Sequence, residues 1–68
     1  MRDVVISTDS IRLGQFLKLA DAVEVGSDVR ALVEDGEVRV NGALESRRGR
    51  QLVRGDVVAV RGLDLRVA

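Results

Sequence analysis

The sequence predicts an α+β domain in which two packed N-terminal helices lie against a small, mostly antiparallel sheet, and three observations predict it. Apolar residues recur at helical spacing between Ser10 and Glu34. They alternate with period two from Val38 onward, and Asn41-Gly42, Gly55-Asp56 and Gly62 punctuate that second half as reversals. Neither layer can bury its apolar side alone, so the helices are expected to cover one face of the sheet.

Taken in order, Val4 to Ile6 is a short β-prone run expected as an edge strand, and Asp9 or Ser10 offers an N-cap. From Ser10 to about Ala22, the set Leu13, Phe16, Leu17, Ala20 and Val23 forms the buried stripe of a first helix. Arg12, Gln15 and Lys18 share the opposite arc, open to solvent or a ligand. Gly26 interrupts the pattern, Ser27 can cap, and Val29, Leu32 and Val33 mark a second helix from about Ser27 to Glu34. A helix this short is marginal alone and needs burial to persist, and Gly36 is placed to end it in the left-handed region. Short strands follow at Val38 and Val40, Leu52 and Val53, Val57 to Val60, and Leu63, Leu65 and Val67. No internal repeat or linker interrupts residues 1–68, which read as one domain.

With 68 residues, 46% hydrophobic and 32% charged, the chain is globular but has a thin core, which leaves function to its surface. Cysteine and histidine are both absent, which removes disulfides, zinc sites built on the usual ligands, and Cys-His or Ser-His catalysis. Asp56 follows Gly55 without a paired acid or nucleophile and reads as a turn residue, so no enzyme, cofactor or metal is expected. The apolar run before Ser7 is too short for a signal peptide and no stretch approaches a membrane span. A cytoplasmic location is the expectation.

The formal charge is zero, yet residues 1–37 carry four basic and eight acidic side chains while residues 38–68 carry seven and three. The asymmetry, −4 against +4, suggests a basic patch on an acidic body. Arginine supplies all but one of the eleven basic residues, which also suits an arginine-favouring codon bias, so clustering is more informative than number. The most informative segment is therefore Val38 to Arg50. A strand and an Asn-Gly turn, which needs positive φ, support Arg47, Arg48 and Arg50, and no acidic residue lies between Ser46 and Val53. Such guanidiniums fork onto phosphate oxygens.

The pieces Ile11-Arg12-Leu13-Gly14-Gln15-Phe16-Leu17-Lys18, Val29-Arg30-Ala31-Leu32-Val33, Gly36-Glu37-Val38-Arg39-Val40-Asn41-Gly42 and Leu52-Val53-Arg54-Gly55-Asp56-Val57-Val58 occur in the order and spacing of the S-four RNA-binding domain, named after a small-subunit ribosomal protein. The chain resembles that family over most of its length. The segments Gly42 to Arg50 and Gly62 to Ala68 look like its small stand-alone bacterial members, the YbcJ-like group. The resemblance implies the αL RNA-binding motif, in which the helix pair and the loop after the Asn-Gly turn face RNA. Carried over by position, contacts fall on Arg12, Arg30, Asn41, Arg47 and Arg48, with Lys18 and Arg50 beside them. Where many members place a serine or threonine and an arginine at the start of the second helix, this chain has Val25-Gly26-Ser27-Asp28, which implies weaker binding.

The expected partner is a structured RNA, ribosomal or tRNA-like, because Phe16 is the sole aromatic and belongs to the core, leaving no platform on which single-stranded bases stack. A competing reading is a protein-interaction module that pairs an exposed edge strand, Val4 to Ile6 or Leu63 to Val67, with a protein partner.

Overall fold

The computed structural model describes residues 1–68, with elements β1 (Arg2–Val4), β2 (Ser10–Arg12), α1 (Leu13–Leu19), α2 (Gly26–Glu34), β3 (Val38–Val40), β4 (Ala43–Leu44), β5 (Gln51–Val53), β6 (Val57–Val60) and β7 (Leu63–Val67). Five strands make one sheet in the order β1-β7-β6-β3-β4, and β2 pairs with β5 in a second. All pairs are antiparallel except β1 with β7, where Val4 lies opposite Val67. The α+β class expected from the two periodicities is the class observed.

Alternation along β3, β6 and β7 turns Val38, Val40, Val58, Val60, Leu65 and Val67 inward, all essentially without solvent contact. Leu13, Phe16 and Leu17 of α1 and Val29, Leu32 and Val33 of α2 are buried with them, and every buried apolar residue belongs to one cluster. Two-residue loops close both hairpins. Asn41 and Gly42 take φ of 52° and 84° between Val40 and Ala43, the pair of positive angles that matches the twist of the flanking strands. Arg61 and Gly62 repeat the pattern at 50° and 78° between β6 and β7. At the end of α2, Gly36 has φ of 71°; its amide donates to the Val33 carbonyl and that of Glu37 to the Leu32 carbonyl, which satisfies the last turn.

Four expectations change. Ser10–Arg12 is a strand rather than the first turn of a helix, and neither Asp9 nor Ser10 caps α1. The reason is long-range: Ile11 pairs with Leu52, and the first amides of α1 find carbonyls in the loop before β5 instead of a local cap. Likewise Ser27 makes no cap hydrogen bond, because α2 starts at Gly26 with Val25 in the cap position. The first strand is Arg2–Val4, earlier than Val4 to Ile6, and is an edge. By contrast, Leu63–Val67 lies between β1 and β6, with Leu65 and Arg66 paired on both sides, so it is not an edge strand of the sheet. No helix is long and apolar enough to cross a membrane.

Candidate nucleic-acid interface

The loop from Glu45 to Arg50 is anchored from below by a carboxylate. Glu45 is the single buried residue with a charged or polar side chain, 4% exposed, and its oxygens accept four hydrogen bonds. The amides of Ser46 and Arg47 donate to Oε2 at 2.9 and 3.0 Å, Arg47 Nε donates to the same oxygen at 3.4 Å, and Arg50 Nη1 donates to Oε1 at 3.0 Å. Burial by itself raises the carboxyl pKa. The hydrogen bonds from Arg50 and from the Arg47 backbone and guanidinium, with the Arg47 charge, outweigh it and hold the group at about 2.

The loop is tied to α1 through main chain as well. Leu13 N donates to the Arg50 carbonyl at 2.8 Å and Gly14 N to the Arg48 carbonyl at 3.1 Å. These amides lack partners inside the helix, so the loop carbonyls take the place of a side-chain cap. Arg48 is thereby held beside the face of α1 that bears Gln15 and Lys18. The result is an open groove lined by Arg12, Gln15, Lys18 and Arg48, with Gly14, Gly26, Gly49 and Val29 between them. Its volume, about 230 Å³, and its single apolar lining residue do not suit a buried small molecule. Three cations around exposed backbone suit a phosphate chain that lies across the surface.

Of the eleven cationic side chains, Arg30, Arg47, Arg50, Arg61 and Arg66 pair with carboxylates, and Arg54 donates to the Ile6 carbonyl. Arg2, Arg12, Lys18, Arg39 and Arg48 have no hydrogen-bonding partner, and three of these five meet in the groove.

The seven candidate positions therefore divide. Arg12, Lys18 and Arg48 come together. Arg30 lies in an adjoining hollow with Val33, Glu34, Ser46 and Arg48, its Nε 2.9 Å from Glu34. Arg47 keeps a side chain 73% exposed despite its long contact to Glu45, whereas Arg50, 33% exposed, is committed to that carboxylate. The local excess of positive charge expected from Ser46 to Val53 is thus smaller than the sequence suggests, because the neutralising acid stands one residue outside that window.

Asn41 directs both ends of its amide into the protein. Its Nδ2 donates to Asp56 Oδ1 at 3.1 Å and its Oδ1 accepts from Val57 N at 2.9 Å. Asp56 Oδ2 accepts from Val53 N at 2.9 Å, and that bond, followed by the Asn41 amide and the Arg50 charge, lowers the Asp56 pKa against a burial that raises it. Asp56 thus serves a turn. Asp28 borders a separate hollow with Asp21 and Glu24 and not the groove. Phe16 is fully buried.

Sequence reasoning missed the backbone of Gly14, Gly26 and Gly49 as groove walls.

The S4 domain family matches residues 4–68. A curated relative, the probable ribosome maturation protein RlbA of Bacillus subtilis (strain 168), is 46% identical over 59 residues, which cover 87% of this chain and 83% of the relative.

Proposed function

Because the chain belongs to the S4 domain family, we propose that it is a non-catalytic RNA-binding protein that grips the backbone of a structured RNA, ribosomal or tRNA-like, in the groove of Arg12, Lys18 and Arg48. The observation that carries this reading is the convergence of three of the five unpartnered cations on one groove of a nominally neutral protein. Phosphate recognition needs free guanidinium and ammonium donors, and nowhere else do as many unpartnered cations line one hollow. The name of the Bacillus relative favours an RNA of the ribosome, which would place the protein's work in the cytoplasm.

The buried Phe16 leaves no stacking surface, so recognition rests on backbone and shape. A stem-loop RNA is expected to bind more tightly than an unstructured RNA of equal length, and more tightly than the matching DNA hairpin. Three phosphate contacts give a slope of log affinity against log salt of about −2 to −3. Filter binding of the three ligands at two salt concentrations tests this, with Arg12→Ala, Lys18→Ala and Arg48→Ala each expected to weaken binding. Equal affinity for all three ligands would reduce the reading to nonspecific attraction, and no binding at low salt would remove it in favour of a protein partner at the β1 edge.

A further inference from the structure

Arg48 borders two hollows. On one side lie Arg12 and Lys18, and on the other Arg30 and Glu34 of α2 with Ser46. A backbone that follows the cations past Arg48 next meets Arg30. There the path changes character: the first groove has no carboxylate in its lining, and Glu34 is the one acid in the second.

Helix stability gains little from Glu34. It is the last residue of α2, where the helix dipole disfavours negative charge, and the last turn has no basic residue. Its pair with Arg30 also has the less favourable order, with the cation four residues before the anion. What Glu34 does is occupy Arg30: Oε1 accepts from Nε at 2.9 Å, and this hydrogen bond, with the attraction of the charges, raises the arginine pKa. The two side chains are 68% and 62% exposed, so the pair is hydrated and can part, unlike the buried clamp of Glu45 on Arg50.

We propose that Glu34 is a competitor built into the interface, which holds Arg30 off the RNA backbone and so limits the number of phosphates that the protein grips. The inference rests on the groove being the RNA site. A phosphate at Arg30 must displace the carboxylate or lie beside it, and either lowers the gain from a fourth contact. The carboxylate thereby keeps affinity moderate and release fast.

Fluorescence anisotropy with a labelled stem-loop RNA over a salt series tests the proposal on the whole chain. Glu34→Gln should tighten binding by about three- to tenfold at moderate salt and steepen the salt slope by about 0.7 to 0.9, the signature of one added phosphate contact. Arg30→Gln alone should change affinity less than about twofold, and in the Glu34→Gln background it should abolish the gain. Asp64→Asn, an equal change of charge on an exposed position of β7, should have little effect. Affinity of Glu34→Gln within twofold of the parent would overturn the inference, as would a gain that survives Arg30→Gln or appears with Asp64→Asn. Arg48→Ala separates the two levels. If it binds as the parent does, the groove reading fails and this inference with it; if it loses binding while Glu34→Gln gains nothing, only the competitor is refuted.

Discussion

Acid should weaken this protein chiefly through Glu45, by an amount that the structure bounds. The folded carboxyl titrates at about 2 against an ordinary value of 4.5. A group whose pKa is lower when folded contributes its stability in full above the unfolded value and loses it as the pH falls through the folded one. The window is therefore from about pH 5 down to about pH 2. At about 1.4 kcal/mol per tenfold change in proton affinity, the interval between the two values is worth about 3 kcal/mol. That figure is an upper one, because Arg47 reaches solvent and its charge is screened. For a domain of this length, whose total stability is roughly 3–10 kcal/mol, even half of it is a large share.

The chain has no tryptophan or tyrosine, so urea unfolding followed by far-ultraviolet circular dichroism is the suitable assay. Stability should be flat from pH 7 to about pH 5 and fall below that. Asp3, held low by Arg66, and Asp56, held low by the Val53 amide, also lose stabilising bonds on acidification, so the parent must be compared with Glu45→Gln. That variant should be less stable at pH 7, because the charge that Arg47 and Arg50 face is gone and an amide NH2, itself a donor, replaces one of the two acceptor oxygens, and it should lose less on acidification. If both proteins lost stability equally between pH 5 and pH 2, the clamp would not be the source of the dependence and the argument would fall.

Leu17→Ala and Leu32→Ala, at positions with essentially no solvent contact, should each cost about 2–5 kcal/mol in urea melts; losses below about 1 kcal/mol for both would mean that the buried faces of the helices are misassigned. Asn41→Ala should lower stability by about 1–2 kcal/mol, because it removes the bonds to Asp56 and Val57 and places alanine at positive φ. RNA affinity at a temperature where the variant remains folded should be unchanged, and a loss equal to that of Arg48→Ala would return Asn41 to the contact surface.

Most of the fold was legible because Phe16, Leu17, Leu32, Val58 and Leu65 carry their burial in local periodicity. Gly36 and Asn41-Gly42 were legible because few residues tolerate positive φ. The strand at Ser10–Arg12 was not legible, since its partner is Gln51–Val53 and the local cap signal at Asp9-Ser10 pointed to a helix. For the candidate site, clustering of arginine drew attention to the loop from Arg47 to Arg50 but not to which arginines face outward. That division depends on Glu45 turning inward, and a glutamate between a leucine and a serine gives no sign in sequence that it will be buried. Convergence of Lys18 and Arg12 with Arg48 likewise depends on two backbone hydrogen bonds that join residues far apart in the chain.

Those two bonds, from the amides of Leu13 and Gly14 to the carbonyls of Arg50 and Arg48, bear on how such an interface changes over evolutionary time. They are made by main chain, which every residue but proline supplies in the same form. The spacing between the helix and the loop is therefore indifferent to which side chains occupy Arg12, Lys18 and Arg48. One of them can be exchanged for a neutral or an acidic residue without disturbing the placement of the others, and, under the proposed role, a lineage could adjust its hold on RNA one residue at a time. Insertions in the loop have no such freedom, since a single added residue between Arg48 and Arg50 would put one carbonyl or the other out of reach of its amide.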